Sequence, residues 1–232
     1  MIIGVNYRLL PESNGFNITQ DVVDFWEWSR SKLQEYLRSS APGIEADLSK
    51  VITYGDSAGG YLAIYSAFTQ PARSINAVIA MYPVIDPRDI RGNQKYPPSA
   101  LENHMKAMEP GEVVTAVFPP ERLELGILLA QQSRMMEFFR VPESLLQMKS
   151  VEKVPYLLIL HGDADLVVPV KGSIQFKKEA ESFGIKDVAL HIKRGGEHGF
   201  DKRATLEAPW LAKVLGEATK QWLTVIDGAS PW

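Results

Sequence analysis

A serine lies between two glycines directly after an apolar run. The pentapeptide Gly55-Asp56-Ser57-Ala58-Gly59 follows Val51-Ile52-Thr53-Tyr54 and precedes Gly60-Tyr61-Leu62-Ala63-Ile64, which is typical of a helix. A Gly-x-Ser-x-Gly segment between a strand and a helix favours a tight turn that raises the serine hydroxyl above the end of a sheet. Cβ atoms at Gly55 and Gly59 are expected to collide with the neighbouring strand and helix. The pattern predicts Ser57 as a nucleophile at a helix N-terminus, where negative charge is favoured.

A serine nucleophile requires a base, and the chain contains four histidines. His198 lies in Gly195-Gly196-Glu197-His198-Gly199, on a loop after a predicted strand, where its side chain can reach over the edge of the sheet. His161 ends a buried strand and is expected to hold the next loop, whereas His191 alternates within a strand as a structural residue. His104 has no supporting context. His198 is therefore the predicted general base.

The group that orients the base is expected on a loop between the serine and the histidine in chain order. The segment His161-Gly162-Asp163-Ala164-Asp165 supplies two candidate carboxylates. Both aspartates also suit a turn, because Asp bonds its own backbone there. Asp165 is the better candidate, since a few residues must follow Gly162 before a side chain can reach back, but the choice between the two aspartates depends mainly on the family resemblance described next. Neither belongs to a cluster with metal-ligand spacing, so we expect no metal and no cofactor.

These segments resemble the α/β-hydrolase superfamily, and most closely its hormone-sensitive-lipase-like esterase branch (α/β-hydrolase fold-3). The matching stretches span nearly the whole chain: Val5-Asn6-Tyr7-Arg8-Leu9-Leu10-Pro11-Glu12, Gly55-Asp56-Ser57-Ala58-Gly59-Gly60, Tyr82-Pro83-Val84-Ile85-Asp86, His161-Gly162-Asp163-Ala164-Asp165 with Val168-Pro169, and Glu197-His198-Gly199-Phe200. The resemblance implies Ser57 as nucleophile, Asp165 as acid and His198 as base. It implies a hydrolase of carboxylic esters with small or medium apolar acyl groups, or of lactones or thioesters, acting through an acyl-enzyme.

One part of the family pattern is missing near the start of this sequence. In the branch, a His-Gly-Gly loop that forms most of the oxyanion hole precedes the Tyr-Arg-Leu-x-Pro-Glu segment, and the strand before it lies beside the nucleophile strand. We expect one of three arrangements: residues 2–7 pair with residues 51–54, another chain completes the sheet, or the sequence is truncated. The Ala58 N–H is the oxyanion donor that can be identified. The alternative function is a catalytically impaired or non-enzymatic binding protein on a truncated hydrolase fold.

The order of the elements indicates an α/β fold, with a mostly parallel sheet flanked by helices and the N-terminal strands of the family absent. The chain of 232 residues is expected to form a single domain, 1–232. A long helix with an apolar face from Val22 to Leu37 is expected to be capped by Asn17 or Thr19. Strands are predicted at 2–7, 51–54, 77–82, 156–160 and 188–193, and further helices at about 58–68, 173–183 and 210–223.

Residues 87–150 interrupt this alternation and are predicted to be an inserted helical cap. The segment is rich in proline at first and then apolar, and it contains five of the seven methionines: Met105, Met108, Met135, Met136 and Met148. Methionine adapts its shape, which suits a lid over varied apolar ligands. A small helical subdomain whose methionines simply pack is the alternative.

Composition excludes several classes of partner. The net charge of −3 argues against nucleic acid, which requires a basic face. No apolar run reaches the length of about 18 residues that a membrane span needs. Cysteine is absent, so an intracellular, cytoplasmic location is the simpler expectation. The expected partner is a small-molecule ester, and an incomplete sheet edge favours a homodimer.

Overall fold

The structure is a computed structural model that describes residues 1–90, 97, 99–107, 120–139 and 154–224. Four strands form one parallel sheet in the order β1 (Ile52–Asp56), β2 (Ala77–Met81), β3 (Tyr156–Gly162) and β4 (Val188–Lys193). Sequential strands are neighbours, so the loops at their carboxyl ends lie along one edge of the sheet. The predicted α/β class with a mostly parallel sheet is confirmed.

Helices cover both faces of this sheet because β2 and β3 are apolar on both sides. On one face, Val78 and Leu157 pack with helices α1 (Gly15–Ser31), α3 (Ala58–Thr69) and α7 (Lys171–Ser182). On the other face, Ile79 and Leu158 pack with α8 (Pro209–Leu223). The central strands are therefore buried on both sides and hold the loops at their ends in fixed positions.

The N-terminal segment differs from the prediction, because residues 2–7 do not form a strand. Ile2 is 97% exposed, and the Arg8 N–H and guanidinium bind the Asp21 carboxylate on α1. A strand requires a neighbour that takes up its backbone groups, and here a side chain takes up the Arg8 N–H. The expected pairing of residues 2–7 with residues 51–54 is therefore wrong. Completion of the sheet by another chain and truncation stay predictions.

The long helix predicted before β1 is present but begins earlier and is interrupted. Its N-cap is Asn14, whose side chain accepts a hydrogen bond from the Asn17 N–H at 3.0 Å, so neither Asn17 nor Thr19 is the cap. The helix ends at Ser31, and α2 (Leu33–Ser40) follows after Lys32. The Trp26 indole N–H donates to Ser66 Oγ at 3.1 Å and fastens α1 to α3.

The described part of the inserted segment is helical. It contains α4 (Ser99–Ala107), α5 (Pro120–Gln131) and α6 (Met135–Phe139), which share a small apolar cluster of their own with the N-terminal Leu10. The Phe139 ring packs edge-on against Tyr61 of α3, with 5.4 Å between centroids. Met108 and Met148, with most of the predicted proline-rich stretch, lie outside the described residues. The cap at residues 87–150 and the single domain 1–232 stay predictions.

Candidate active site

Ser57 lies in the turn between β1 and α3 with a strained backbone. Its φ of 51° and ψ of −115° belong to a region that residues with a side chain rarely adopt. Hydrogen bonds to the β2 end of the sheet hold this conformation: the Ser57 N–H donates to the Met81 carbonyl at 2.9 Å, and the Val84 N–H donates to the Ser57 carbonyl at 3.1 Å. The turn projects the hydroxyl beyond the carboxyl end of the sheet, as the pentapeptide predicts.

Two glycines make the turn sterically feasible, although they are not the two that the sequence indicates. A Cβ at Gly55 would overlap the backbone carbonyl of Gly59. A Cβ at Gly59 would meet only Asp56 Oδ1 at 4.0 Å, so the predicted collision there is wrong. The second close approach is at Gly60, where a Cβ would lie 2.9 Å from the Pro83 Cβ. Glycine is therefore required at Gly55 by the close approach of β1 to the start of α3, and at Gly60 by the contact of α3 with the chain after β2.

Alanine substitutions at Gly55 and Gly59 are expected to have opposite effects on stability. Gly55→Ala should lower the free energy of unfolding by about 3 kcal/mol, because its Cβ meets backbone that cannot move independently. Gly59→Ala lies in a helix with open space beside it and should be neutral or stabilising by up to about 1 kcal/mol. Thermal denaturation of both variants at one protein concentration measures the difference. Equal melting temperatures would contradict the proposed packing of this turn.

His198 lies on the loop that follows β4, and hydrogen bonds hold this loop against the one after β3. The Ala164 N–H donates to the Gly196 carbonyl at 3.0 Å, and the Gly195 N–H donates to Asp163 Oδ1 at 2.6 Å. Gly162 and Gly196 approach so closely that a Cβ on Gly162 would overlap the Gly196 carbonyl. The two loops are thus fixed to each other, with the His198 side chain 22% exposed.

Asp165 is buried beneath His198. Its Oδ1 accepts hydrogen bonds from the Val167 N–H at 2.9 Å and the Val168 N–H at 2.8 Å, and its Oδ2 lies 2.8 Å from His198 Nδ1. Burial alone would raise the pKa of this carboxyl, but hydrogen bonds from His161, His198 and the Val168 N–H hold the pKa well below its usual range. Asp165 is therefore ionised at neutral pH and can only accept.

Ser57, His198 and Asp165 form one hydrogen-bonded chain across three loops. His198 Nε2 lies 3.1 Å from Ser57 Oγ, while its Nδ1 faces Asp165. Because an ionised carboxylate requires a donor, Nδ1 carries the proton, and the Nε2 lone pair faces the serine hydroxyl. The structure brings together all three residues that the sequence analysis singled out. The arrangement can remove a proton from Ser57 and hold it on an oriented imidazole.

Three other polar candidates, His161, His191 and Asp163, occupy structural positions. His161 is fully buried and bonds Ser173 Oγ and the Val168 carbonyl, each at 2.8 Å, so it holds the loop after β3 as expected. His191 pairs with Glu217 of α8 at 3.0 Å. Asp163 accepts from the Gly195 N–H and does not contact His198 in the described structure. His104 is in α4, but its side chain lies outside the described residues.

Among residues 1–90, 97, 99–107, 120–139 and 154–224, no group of three or more His, Asp, Glu or Cys side chains could hold a metal ion. In the same part of the chain, no helix has the length and apolar character needed to cross a lipid bilayer.

The surroundings of Tyr82 were not predicted from the sequence. Its ring lies 4.6 Å from the His198 ring, centroid to centroid, and its hydroxyl donates to Asp201 Oδ1 at 2.7 Å. Tyr82 begins the family-like segment Tyr82-Pro83-Val84-Ile85-Asp86, and Asp201 directly follows the other such segment, Glu197-His198-Gly199-Phe200. This proximity to the two segments was the signal available in the sequence, but no local pattern indicates that the two side chains meet.

A strained serine after a parallel strand, joined to a histidine and a buried aspartate on later loops, defines an α/β-hydrolase. A family model of the α/β-hydrolase fold matches residues 1–202, and the chain belongs to that family. This confirms the resemblance to the hormone-sensitive-lipase-like branch.

The probable carboxylesterase M8 of a Phoma species is 30% identical over 240 residues, covering 96% of this chain and 75% of the relative. The probable carboxylesterase clz11 of Cochliobolus lunatus is 32% identical over 186 residues, covering 72% of this chain and 85% of the relative. The enzyme class predicted from the sequence, a carboxylic ester hydrolase, agrees with both.

Two other similarities extend this comparison. A Staphylococcus aureus protein of unknown function has the same fold, with a TM-score of 0.64 and 19% identity over 94% of this chain and 77% of its own. A portion of the non-reducing polyketide synthase ascC of Acremonium egyptiacum is 26% identical to this chain, covering 86% of it and 11% of the synthase. The hydrolase domain therefore resembles both separate esterases and a section of a much larger enzyme.

Proposed function

We propose that this chain is a serine hydrolase that cleaves carboxylic esters through an acyl-enzyme. The observation that carries the proposal is the continuous chain from Ser57 Oγ through His198 Nε2 and Nδ1 to Asp165 Oδ2, with separations of 3.1 and 2.8 Å. Ser57 is the nucleophile, His198 the general base and Asp165 the group that orients the imidazole.

The proposed reaction has two halves that use the same histidine. Ser57 Oγ bonds to the ester carbonyl carbon as its proton passes to His198 Nε2, and the carbonyl oxygen becomes an oxyanion. The tetrahedral species collapses, the alkoxy group leaves with the proton from His198, and an acyl-Ser57 ester remains. A water molecule then attacks this ester while His198 accepts its proton. The carboxylic acid leaves as Ser57 regains a proton, so no other reactant is needed.

The oxyanion is proposed to accept a hydrogen bond from the Ala58 N–H. Ala58 is the first residue of α3, and the first N–H groups of a helix have no partner within the helix. The positive end of the helix dipole also lies there and favours negative charge. A backbone donor adjacent to the nucleophile is the usual position for such stabilisation in this fold.

The substrate is proposed to be a small or medium apolar ester, with lactones and thioesters as related possibilities. The inserted segment 87–150 is proposed to act as the cap above the acyl group. Two features support this position: α6 packs against α3 through Phe139 and Tyr61, and α3 begins directly after Ser57. The cytoplasmic location and the homodimer stay predictions.

Pre-steady-state hydrolysis of p-nitrophenyl acetate and butyrate tests the proposal. We expect a burst of p-nitrophenol that approaches one equivalent per chain, followed by a slower steady rate, because acylation and deacylation are separate steps. A fluorophosphonate probe should label the same chain, and the labelled peptide should contain Ser57. A folded, monodisperse protein with neither burst nor labelling would overturn the proposal and favour the non-enzymatic binding protein.

A thioesterase is the second candidate function, because the chain from Ser57 through His198 to Asp165 could equally direct the serine at the carbonyl carbon of a thioester. The proposed chemistry is unchanged, except that a thiolate replaces the alkoxide as leaving group. Comparing butyryl N-acetylcysteamine thioester with the oxygen ester of the same acyl group separates the two. A kcat/KM at least tenfold higher for the thioester would favour the thioesterase, and the reverse ratio would favour the esterase.

A further inference from the structure

Tyr82 is a buried residue beside His198 that the proposed chemistry does not use. It directly follows β2, is 1% exposed and has a positive φ of 35°. Its N–H donates to the Leu160 carbonyl of β3 at 2.6 Å, which fixes the start of the loop. A non-glycine residue in this conformation persists only where the surroundings hold it firmly. The backbone thus presents the Tyr82 ring to the site from the centre of the sheet.

The ring of Tyr82 packs against the imidazole of His198. The two centroids are 4.6 Å apart, with 61° between the planes, and the Phe200 ring lies 5.7 Å from the Tyr82 ring. Gly199, with a φ of 76°, directly follows His198 and would otherwise give the loop considerable freedom. The aromatic contact therefore limits how far the imidazole can turn from the line between Ser57 and Asp165.

The phenol of Tyr82 also binds the loop that carries His198. Its hydroxyl donates to Asp201 Oδ1 at 2.7 Å, three residues beyond His198. Burial, with the hydrogen bond to Asp201, raises the pKa of the Tyr82 phenol, so the hydroxyl remains a neutral donor across the working range of pH. The same side chain therefore contacts the base through its ring and anchors the base's loop through its hydroxyl.

We propose that Tyr82 and Asp201 are a positioning pair that holds the His198 imidazole within reach of Ser57. This inference rests on the proposed function, because His198 is the base there. Tyr82 acts through His198 and does not contact the reacting ester. Positioning matters because a shift of about 1 Å in a catalytic group can cost about 10²-fold in rate.

The test separates the ring from the hydroxyl with four variants and a matched control. Tyr82→Phe keeps the ring and removes the hydroxyl, Tyr82→Leu removes both, and Asp201→Ala removes the acceptor. The fourth variant combines Tyr82→Phe with Asp201→Ala. The control is Tyr156→Phe. Tyr156 begins β3, at the amino-terminal end of the parallel strands and away from the end that carries Ser57, and its hydroxyl faces Glu217 at 3.4 Å. Each is assayed for kcat, KM, fluorophosphonate labelling rate and melting temperature.

We expect kcat to fall roughly 3- to 10-fold in Tyr82→Phe and Asp201→Ala, because each loses one hydrogen bond. Tyr82→Leu should lose about 10²-fold, with KM within about twofold of the wild type. The labelling rate should fall in the same proportions, since the probe also needs His198 to activate Ser57. The double variant should be no slower than the slower single variant, because both remove the same contact. Tyr156→Phe should match the wild type.

Several outcomes would overturn the inference. An unchanged kcat in a folded Tyr82→Leu protein would remove any positioning role, and so would a rise in KM alone. If Tyr82→Leu does not fold, an unchanged kcat in Tyr82→Phe would show that the hydrogen bond from the Tyr82 hydroxyl to Asp201 has no positioning role. A wild type without labelling instead signals failure of the proposed function. A crystal structure of Tyr82→Phe then still tests positioning, through the distance between His198 Nε2 and Ser57 Oγ, which should lengthen from 3.1 Å.

Discussion

Replacing Ser57 with alanine is expected to lower kcat for p-nitrophenyl butyrate by at least about 10⁴-fold. The substitution removes the oxygen that lies 3.1 Å from His198 Nε2, and no acyl-enzyme can form without it. The burst should vanish together with the steady rate. Stopped-flow measurement of p-nitrophenol release on both proteins provides the comparison.

The control for this variant is Ser182→Ala, which also removes one serine hydroxyl. Ser182 is exposed at the end of α7, and its hydroxyl donates to the Glu179 carbonyl. We expect its kcat to equal that of the wild type. Residual activity above about 10% in Ser57→Ala would mean that a different nucleophile operates, and the assignment of Ser57 would be abandoned.

Two substitutions of Ser57, to alanine and to glycine, should abolish activity alike but differ in their effect on stability. Alanine retains a Cβ at a φ of 51°, so Ser57→Ala should melt close to the wild type. Ser57→Gly is equally inactive, but glycine adopts this conformation without strain. We expect Ser57→Gly to unfold with a free energy about 1–3 kcal/mol higher than that of Ser57→Ala. A less stable glycine variant would contradict the strain argument.

The buried strands and the residues of the site could be predicted from the sequence. The run Tyr156-Leu157-Leu158-Ile159-Leu160 reads as a strand buried on both faces, and it forms β3 with His161 and Gly162 added. Loops after such strands meet at one edge of a parallel sheet, which is why Ser57, Asp165 and His198 lie together. The pattern of apolar runs and loops was sufficient to predict the strands and the loops that carry these residues, whereas the choice of Asp165 over Asp163 depended mainly on the family resemblance.

Residues 2–7 mark the limit of this reasoning. Their apolar pattern suits a strand, but pairing depends on a neighbour elsewhere in the chain, and the Arg8 N–H binds Asp21 instead. The contact between Tyr82 and Asp201 spans 119 residues and has no local signature. The distinction between Gly59 and Gly60 likewise depends on where Pro83 lies in three dimensions. These three features depend on contacts between residues far apart in the sequence, and local patterns do not predict such contacts.

The assignment of the acid leads to the second large expected effect. Asp165→Asn should lower kcat by about 10⁴-fold while the protein stays folded. The amide oxygen should face the N–H groups of Val167 and Val168, because an NH₂ group would meet donors there. The NH₂ group then faces His198 Nδ1 and requires an acceptor, so the proton moves to Nε2. An imidazole with its proton on Nε2 cannot accept the proton of Ser57.

The matched control is Asp163→Asn, which tests the other carboxylate in the same turn. Asp163 accepts from the Gly195 N–H, and asparagine retains an acceptor oxygen for this bond. We expect its kcat to remain within roughly threefold of the wild type. A severe loss in Asp163→Asn combined with an active Asp165→Asn would exchange the roles of the two aspartates.

The lowered pKa of Asp165 predicts a pH dependence of stability that comparison with Asp165→Asn should reveal. The pKa of Asp165 is lower in the folded protein than in the unfolded chain, so the ionised carboxylate contributes stability above the unfolded pKa of about 3.9. This contribution is lost as the pH falls through the folded pKa. The asparagine side chain of the variant does not titrate, so the free energy of unfolding of the wild type should fall relative to that of Asp165→Asn between about pH 5 and about pH 2. Denaturant unfolding at several pH values measures this difference, and a constant offset would mean that Asp165 is not held as a paired carboxylate.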